Sequence, residues 1–361
     1  MKVLLIAGAR PNFMKIAPIY RESLKYDQVE CRIVHTGQHY DYDMSQAFFE
    51  DLELPEPDFF LNAGSGTHGV QTAKIMVAFE KLCEEERPDL VIVVGDVNST
   101  LACSIVAKKA LIEVAHVEAG LRSFDLTMPE EINRMVTDSI SDYFFVTEES
   151  GEKNLLQEGR PKEKIHFVGN VMIDNLFYQV KKLEKDNVSG FPTFKLKQQN
   201  KDYVFLTLHR PSNVDTKESF EEIAGALNQI ATERPIFFPV HPRTRKMMEQ
   251  FKISFSENIH LFSPLGFKEA LFLWKDAALV MTDSGGLQEE TTAMGVPCVT
   301  LRENTERPIT IEMGTNVLGG TSKDSILKAY RDSMKKKKKF SVPPKWDGKA
   351  AERIWKVLNS I

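Results

Sequence analysis

Two successive sets of short apolar runs, each alternating with amphipathic stretches, constrain the fold of this chain more than any other feature. The first set includes KVLLIAG, LVIVVGD and VAHVEAG, and the second includes YVFLTLHR, IFFPVHP and ALVMTDSG. Runs of this kind, without alternating polar residues, are typical of strands buried on both faces of a parallel sheet. The pattern therefore predicts an α/β protein with two doubly wound, Rossmann-like domains that face one another across a cleft.

The length of the chain also favours two domains. It has 361 residues, and a single hydrophobic core rarely serves more than about 250–300 residues. The stretch 184–202 is polar and weakly patterned, which puts the boundary near it. We expect an N-terminal domain at 1–172, a C-terminal domain at 173–346 and a final helical segment at 347–361.

Composition excludes several classes of protein. A net charge of −5 argues against general nucleic-acid binding. No apolar stretch approaches the roughly 20 residues of a membrane span. The four cysteines show neither a CxxC pair nor metal-ligand spacing, which is typical of reduced residues in a cytoplasmic protein. We expect a cytoplasmic protein with no metal site and no membrane association.

Polar and charged side chains follow many of the predicted strands. In open α/β sheets, ligands bind beyond the carboxyl ends of the strands. Any one of these residues could be a helix cap or a loop residue, but as a set around one cleft they indicate a ligand site. They are Arg10, Lys15, Asp96, Glu118, His209, His241, Ser284, Gly285, Gly286, Glu306 and Arg307.

The stretch VMTDSGGLQEETTAMGVP, residues 280–297, predicts a nucleotide site. Glycines after a strand let the backbone approach a ligand, and free N–H groups with the helix dipole attract a diphosphate. We expect Glu289 and Glu290 in the first, solvent-facing turn of the following helix. There they complement the dipole, or Glu290 accepts hydrogen bonds from a ribose diol.

Taken together, the motifs resemble those of the non-hydrolysing UDP-N-acetylglucosamine 2-epimerases. They cover nearly the whole chain, in the order GARPNFMKIAPI, HTGQHYD, GDVNSTLA, HVEAGLRS, MPEEINR, LTLHRPSNVD, HPRT, TDSGGLQEE and TERP. The resemblance implies a GT-B-type architecture like that of many nucleotide-sugar glycosyltransferases. UDP would lie on the second domain, the sugar would face the first, and the last helix would pack on the first. It also implies a homodimer that uses no cofactor.

The activity implied by the resemblance is the interconversion of UDP-GlcNAc and UDP-ManNAc, which supplies ManNAc-type sugars for surface polysaccharide. UDP is eliminated to leave 2-acetamidoglucal and is then added back. A base must remove the C2 hydrogen while positive charge develops on the sugar ring, and carboxylates serve both needs. The resemblance assigns catalysis to Asp96, Glu118, Glu130 and His209. It assigns substrate binding to Arg10, Lys15, Asp96, Glu118, His209, Ser284, Gly285, Gly286, Glu290 and Arg307.

Regulated members of the same family bind a second UDP-GlcNAc, and Gln38, Arg210 and His241 match that allosteric pocket. However, Asp41 stands where those members have a glutamine, and GSGTHG replaces a segment that carries an arginine. The sequence therefore leaves allosteric activation open.

Two alternative activities also remain open. A sister 2-epimerase acts on UDP-2,3-diacetamido-2,3-dideoxy-glucuronate and shares HTGQHYD, GTHG and MPEEINR-like segments. The intact QEE and TERP segments favour UDP-GlcNAc. A UDP-sugar glycosyltransferase of the same fold would need an acceptor site, and nothing in the sequence clearly marks one.

Overall fold

A computed structural model describes residues 1–37, 49, 52–335 and 339–360, apart from the side chain of Arg10. The chain divides into two compact units. Unit 1 consists of Met1–Asn175 together with Pro344–Ile361, and unit 2 consists of Leu176–Pro343.

Unit 1 is built on a seven-stranded sheet with the order β3-β2-β1-β4-β5-β6-β7, in which each described pair of strands is parallel. Its strands are β1 (Lys2–Ala7), β2 (Glu30–His35), β3 (Phe59–Phe60), β4 (Leu90–Val94), β5 (Glu113–Val117), β6 (Tyr143–Val146) and β7 (Ile165–Phe167). The helices of the first part of the chain are α1 (Arg10–Ser23), α2 (His68–Glu86), α3 (Asn98–Lys109), α4 (Pro129–Ile140), α5 (Glu149–Gln157) and α6 (Val171–Leu183).

The central strands of this sheet, such as β1 and β4, are buried on both faces, as their apolar runs predict. Val3 and Leu5 of β1 belong to one hydrophobic cluster, while Leu4 and Ile6 belong to another. Since neighbouring residues of a strand point to opposite faces, the two clusters lie on the two sides of the sheet.

The last helix, α15 (Ala350–Leu358), completes unit 1. The fully buried Trp355 donates a hydrogen bond from Nε1 to the carbonyl oxygen of Ile19 in α1, at 2.8 Å. The carboxylate of Asp174 accepts from the backbone N–H groups of Ala350 and Ala351, at 3.0 and 2.7 Å. Burial raises the pKa of Asp174 to about 6 despite these two donors.

Unit 2 repeats the design with a six-stranded parallel sheet of order β10-β9-β8-β11-β12-β13. Its strands are β8 (Val204–Thr207), β9 (Ile236–Pro239), β10 (Ile259–Phe262), β11 (Leu279–Thr282), β12 (Cys298–Thr300) and β13 (Asn316–Leu318). Its helices are α7 (Phe194–Gln199), α8 (Pro211–Val214), α9 (Lys217–Ile230), α10 (Pro242–Phe251), α11 (Phe267–Trp274), α12 (Gly285–Met294), α13 (Pro308–Glu312) and α14 (Lys323–Lys335). The prediction of two parallel-sheet α/β domains is confirmed.

Helix α4 has an unusual distribution of side chains. Its polar residues Glu131, Arg134 and Asp138 are buried, whereas the apolar Ile132 and Met135 are exposed. Buried charges are costly unless they are paired. The partners of these three side chains all lie near the loops that follow β4 and β5, as described below.

Within the described part of the chain, no helix combines the length and apolar character that a membrane crossing requires.

Candidate active site

Three charged residues of unit 1 lie beyond the carboxyl ends of neighbouring strands. Lys15 is on α1, which follows β1, whereas Asp96 follows β4 and Glu118 follows β5. The Nζ atom of Lys15 lies 2.5 Å from Oε2 of Glu118, and both side chains are largely buried. The strand order thus brings together Lys15 and Glu118, which lie far apart in the sequence.

The backbone beside this ion pair has two residues with positive φ. Gly95 has a φ of 69°, and a Cβ atom there would lie 2.8 Å from Nζ of Lys15. Glu118 also has a φ of 69°, although it carries a side chain. For a residue with a side chain, such a conformation costs of the order of 1–3 kcal/mol and is concentrated at functional sites. The surroundings of Glu118 therefore hold it in place, whereas glycine adopts this conformation without strain.

Asp96 contacts the guanidinium group of Arg134 through its Oδ2 atom. Arg134 also donates from Nε and Nη2 to Oε2 of Glu131, at 3.0 and 2.6 Å. Glu131 accepts further hydrogen bonds from the backbone N–H groups of Ser123 and Phe124, at 2.9 and 3.0 Å. Burial acts to raise the pKa of Glu131, but these donors outweigh it and hold the pKa below its usual range.

Glu130 lies in the first turn of α4 and is partly exposed. It forms no ion pair with any residue that the structure describes. It therefore differs from Asp96 and Glu118, each of which contacts a cation.

A buried histidine connects the loops that carry Asp96 and Glu118. His116 Nε2 lies 2.8 Å from the carbonyl oxygen of Gly95, and its Nδ1 lies 2.6 Å from Oδ1 of Asp138. Oδ2 of Asp138 accepts from the N–H of Gly120, at 3.0 Å, and lies 2.7 Å from Nη2 of Arg122. Burial opposes ionisation of Asp138, but His116 and then Arg122 hold its pKa below the usual range.

In unit 2, the residues that follow the adjacent strands β8 and β11 form a second polar cluster. Nδ1 of His209 lies 2.7 Å from Oδ1 of the fully buried Asp283. Oδ2 of Asp283 accepts from the backbone N–H groups of His209 and Arg210, at 2.8 and 2.7 Å. Burial acts to raise the pKa of Asp283, but His209 and the backbone donors hold it below its usual range.

Asp283 has no place among the residues selected from the sequence, although it directly follows a predicted strand. The same rule that selected Ser284 would have found it. Its carboxylate orients the His209 ring, which remains 41% exposed.

Helix α12 differs from the expectation at its start. Ser284 is the N-cap and Gly285 is already the first helical residue, so Glu289 and Glu290 lie beyond the first turn. The prediction of a solvent-facing Glu290 was wrong, because the two glycines belong to the helix instead of preceding it. Glu290 is buried, and burial, followed by the charge of Glu289, raises its pKa to about 8.

The QEE and TERP segments contact each other. Oε1 of Glu289 lies 3.0 Å from Nε of Arg307. Oε1 of Gln288 accepts a hydrogen bond from the hydroxyl group of Thr305, at 2.6 Å. These contacts hold Arg307 close to α12.

Arg210 and Glu306 lie next to the start of the same helix. Nη2 of Arg210 donates to Oε1 of Glu306, at 3.0 Å. A Cβ atom on Gly285 would lie 3.1 Å from that carboxylate oxygen. His241 also belongs to this neighbourhood, because the centre of its ring lies 5.8 Å from that of His209.

Comparison with known proteins identifies the family. A family profile described as UDP-N-acetylglucosamine 2-epimerase matches residues 22–359. The UDP-N-acetylglucosamine 2-epimerase of Methanocaldococcus jannaschii is 45% identical, over 99% of this chain and 99% of the relative. The chain belongs to the UDP-N-acetylglucosamine 2-epimerase family.

Solved structures of the family have the same fold. The crystal structure of the M. jannaschii enzyme in complex with UDP-GlcNAc and UDP matches with a TM-score of 0.87 and 43% identity, and both chains are fully covered. The Neisseria meningitidis enzyme bound to UDP-GlcNAc matches with a TM-score of 0.88 and 29% identity, again over the whole of both chains. Members of the epimerase family are isomerases, so the predicted enzyme class is confirmed.

A relative with a different named substrate also matches. The UDP-2,3-diacetamido-2,3-dideoxy-D-glucuronate 2-epimerase of Pseudomonas aeruginosa is 38% identical, over the whole of both chains. Family membership alone therefore does not distinguish the two epimerase activities.

Several residues predicted from the epimerase resemblance receive no test from the structure. Gln38, one of the three predicted allosteric residues, lies outside the described residues, and the side chain of Arg10 is not described. Among the described residues, no group of three His, Cys, Asp or Glu side chains is arranged to hold a metal ion.

Proposed function

We propose that this protein interconverts UDP-GlcNAc and UDP-ManNAc by eliminating UDP and adding it back to 2-acetamidoglucal. The observation that carries the proposal is the cluster of carboxylates beyond β4 and β5, where Asp96 and Glu118 each contact a cation. Membership of the epimerase family supports it.

The three carboxyl groups differ in their contacts with cations, which supports different roles for them. Asp96 contacts Arg134 and Glu118 contacts Lys15, so a cation holds each of these carboxyl groups in position. We assign removal of the C2 hydrogen to these two groups, each acting on one face of the sugar. We assign Glu130, which forms no ion pair with a described residue, as the third catalytic carboxyl group.

We assign UDP to unit 2. The backbone N–H groups at Ser284, Gly285 and Gly286 begin α12, and this helix end favours the diphosphate. Arg307 and His209 supply further donors, which stabilise the charge that UDP gains when the C1–O bond breaks. Glu290 would accept hydrogen bonds from the ribose hydroxyl groups.

Breaking the C1–O bond requires no exchange of electrons with a cofactor. The C2 hydrogen leaves as a proton and UDP leaves with the bonding electrons of C1–O, so the elimination is redox neutral. Re-addition reverses these steps with protonation on the other face of C2. We assign Lys15, which pairs with Glu118, to substrate binding.

The alternative substrate is UDP-2,3-diacetamido-2,3-dideoxy-glucuronate, because the 38% identical P. aeruginosa relative is named for it. Assays with the two nucleotide sugars side by side decide between them. We expect UDP-ManNAc from UDP-GlcNAc, detected by NMR, and a much slower reaction with the diacetamido sugar. The opposite ranking would reassign the substrate.

The mechanism is tested by running the reaction in D₂O without added nicotinamide or metal. Because the C2 proton passes to a group that exchanges with water, the product should carry deuterium at C2. Product that retains protium at C2 would exclude the proposed elimination.

Calorimetry tests the UDP site. The Glu290→Ala variant removes the proposed ribose acceptor and should bind UDP more weakly by about 0.5–1.5 kcal/mol, the usual net contribution of a hydrogen bond. Glu312→Ala, at an exposed position of α13, is the matched control. Equal affinity in both variants would remove Glu290 from the ribose site.

We further propose that the enzyme is a cytoplasmic homodimer that supplies ManNAc-type sugars for surface polysaccharide. The absence of nucleic-acid binding is also a proposal, supported by the net charge of −5. Sedimentation at assay concentration tests the dimer, and a monomeric mass would contradict it.

A further inference from the structure

Consecutive residues of α4 hold Asp96 by both its backbone and its side chain. Asn133 donates from Nδ2 to the carbonyl oxygen of Asp96, at 2.8 Å. Nη1 of Arg134 donates to the side-chain atom Oδ2 of Asp96. The position of Asp96 relative to α4 is therefore restrained at two points.

The orientation of Arg134 is itself fixed by Glu131. Two of its guanidinium nitrogens donate to Oε2 of Glu131, which is almost fully buried. Because the guanidinium group is planar and rigid, two hydrogen bonds on one edge determine where its remaining nitrogen points. That nitrogen contacts Asp96, whose side chain is 33% exposed. One side of the guanidinium group is thus anchored in the interior, and the other holds a carboxylate that remains accessible.

Glu131 does not require Arg134 in order to be hydrogen-bonded. Its oxygens already accept from two backbone N–H groups and from the hydroxyl group of Ser123, at 3.1 Å. The Arg134 side chain therefore does more than satisfy a buried acid, and its contact with Asp96 has to be explained.

We propose that Arg134, anchored by Glu131, is a positioning residue that fixes one oxygen of Asp96 and leaves the other directed to the C2 hydrogen of the sugar. This inference rests on the proposed function, because it assigns Asp96 to proton transfer. It adds a residue without substrate contact to the catalytic arrangement. Arg134 acts only through Asp96.

The Arg134→Met variant removes the contact with Asp96 while keeping much of the side-chain volume. Turnover should fall by about 10²-fold, the cost of misplacing a reacting group by about 1 Å, while KM changes far less. Arg353→Met is the matched control, because Arg353 pairs with Asp347 in unit 1 and has no assigned role. The control should retain normal turnover. Normal turnover in Arg134→Met would overturn the proposal.

A double-mutant cycle separates positioning from a general structural effect. If Arg134 acts through Asp96, adding Arg134→Met to Asp96→Asn should cause no further loss of turnover. Losses that multiply would show that Arg134 acts independently of Asp96. If Arg134→Met does not fold, Arg134→Lys replaces it in the cycle. Lysine keeps the charge but cannot donate to Glu131 and Asp96 from a single planar group.

A readout that needs no substrate distinguishes this inference from the proposed function. The ¹³C chemical shift of the Asp96 carboxyl group, assigned by its loss in Asp96→Asn, should differ at one fixed pH between Arg134→Met and the unmodified protein, because Arg134 contacts this carboxyl group. The same shift should be unchanged in Arg353→Met. An unchanged shift in Arg134→Met would overturn the positioning role, even if the protein epimerises UDP-GlcNAc. A changed shift in a protein without epimerase activity would support the positioning contact and reject the function.

Discussion

At the scale of the residue, the contact between His209 and Asp283 has the clearest chemical consequence. A buried carboxylate on one ring nitrogen fixes the orientation of an imidazole ring. The other ring nitrogen of His209 is thereby held in one direction, from which it can hydrogen-bond to a ligand.

Asp283→Asn tests this arrangement. The amide keeps the size of the side chain but removes its charge, so we expect turnover to fall by about 10²–10⁴-fold, the usual contribution of an acid–base residue. Asp215→Asn is the control, since Asp215 pairs with Arg243 in unit 2 at a more exposed position. Equal turnover in the two variants would show that His209 works without its carboxylate.

Glu290 gives unit 2 a predictable dependence on pH. Burial and Glu289 raise its pKa from 4.5 to about 8. Between these values the unfolded chain releases the proton while the folded protein keeps it, so the free energy of unfolding decreases as pH rises. Relative to that of Glu290→Gln, the melting temperature of the original protein should therefore fall as the pH rises from about 4.5 to about 8. Scanning fluorimetry of both proteins measures this difference, and a constant gap would contradict the assignment.

At the scale of the element, α4 connects the fold to the chemistry. Asp138 on its buried side contacts His116 and Arg122 and accepts from Gly120. Through these contacts, and through those of Asn133 and Arg134 with Asp96, the helix holds the loops after β4 and β5 in position.

Asp138→Asn should destabilise unit 1. Removing one charge from a buried ionic cluster leaves the others uncompensated, at a cost of about 3–5 kcal/mol. In urea, the transition that reports unit 1 should move to lower concentration, while Asp324→Asn, at an exposed position of α14, leaves it unchanged. An unshifted transition in Asp138→Asn would show that the cluster does not stabilise unit 1.

The elements also show what a sequence can and cannot reveal. Long buried strands such as β1 and β4 were predictable, because their apolar runs have no other simple interpretation. Strands β3, β7 and β13 were not, since these strands of two or three residues are not marked by an apolar run of comparable length. The same contrast holds at the candidate site. Asp96 and Glu118 were selected because ligands bind beyond the carboxyl ends of parallel strands. Glu131 and Arg134 lie inside a helix, and only their tertiary contacts reveal their roles.

At the scale of the whole molecule, unit 1 depends on a segment that is distant in sequence. Trp355 of α15 is fully buried against α1. Replacing a buried tryptophan by alanine typically costs 3–5 kcal/mol, so Trp355→Ala should unfold unit 1 at lower urea concentration. The exposed Lys356, on the same helix, provides the control Lys356→Ala. UDP affinity at subdenaturing urea should persist in Trp355→Ala, because the proposed UDP residues belong to unit 2. Loss of UDP binding along with unit 1 would contradict that assignment.

The same discontinuity affects how the protein is made. Translation produces residues 344–360 only after all of unit 2, so α1 leaves the ribosome long before its helical partner exists. At about 5–20 residues per second, the intervening segment of 176–343 takes roughly 10–30 s to synthesise. Throughout that interval the apolar surface of α1 that will contact Trp355 lacks its partner. Unit 2 thus has the opportunity to fold first, although unit 1 begins the chain.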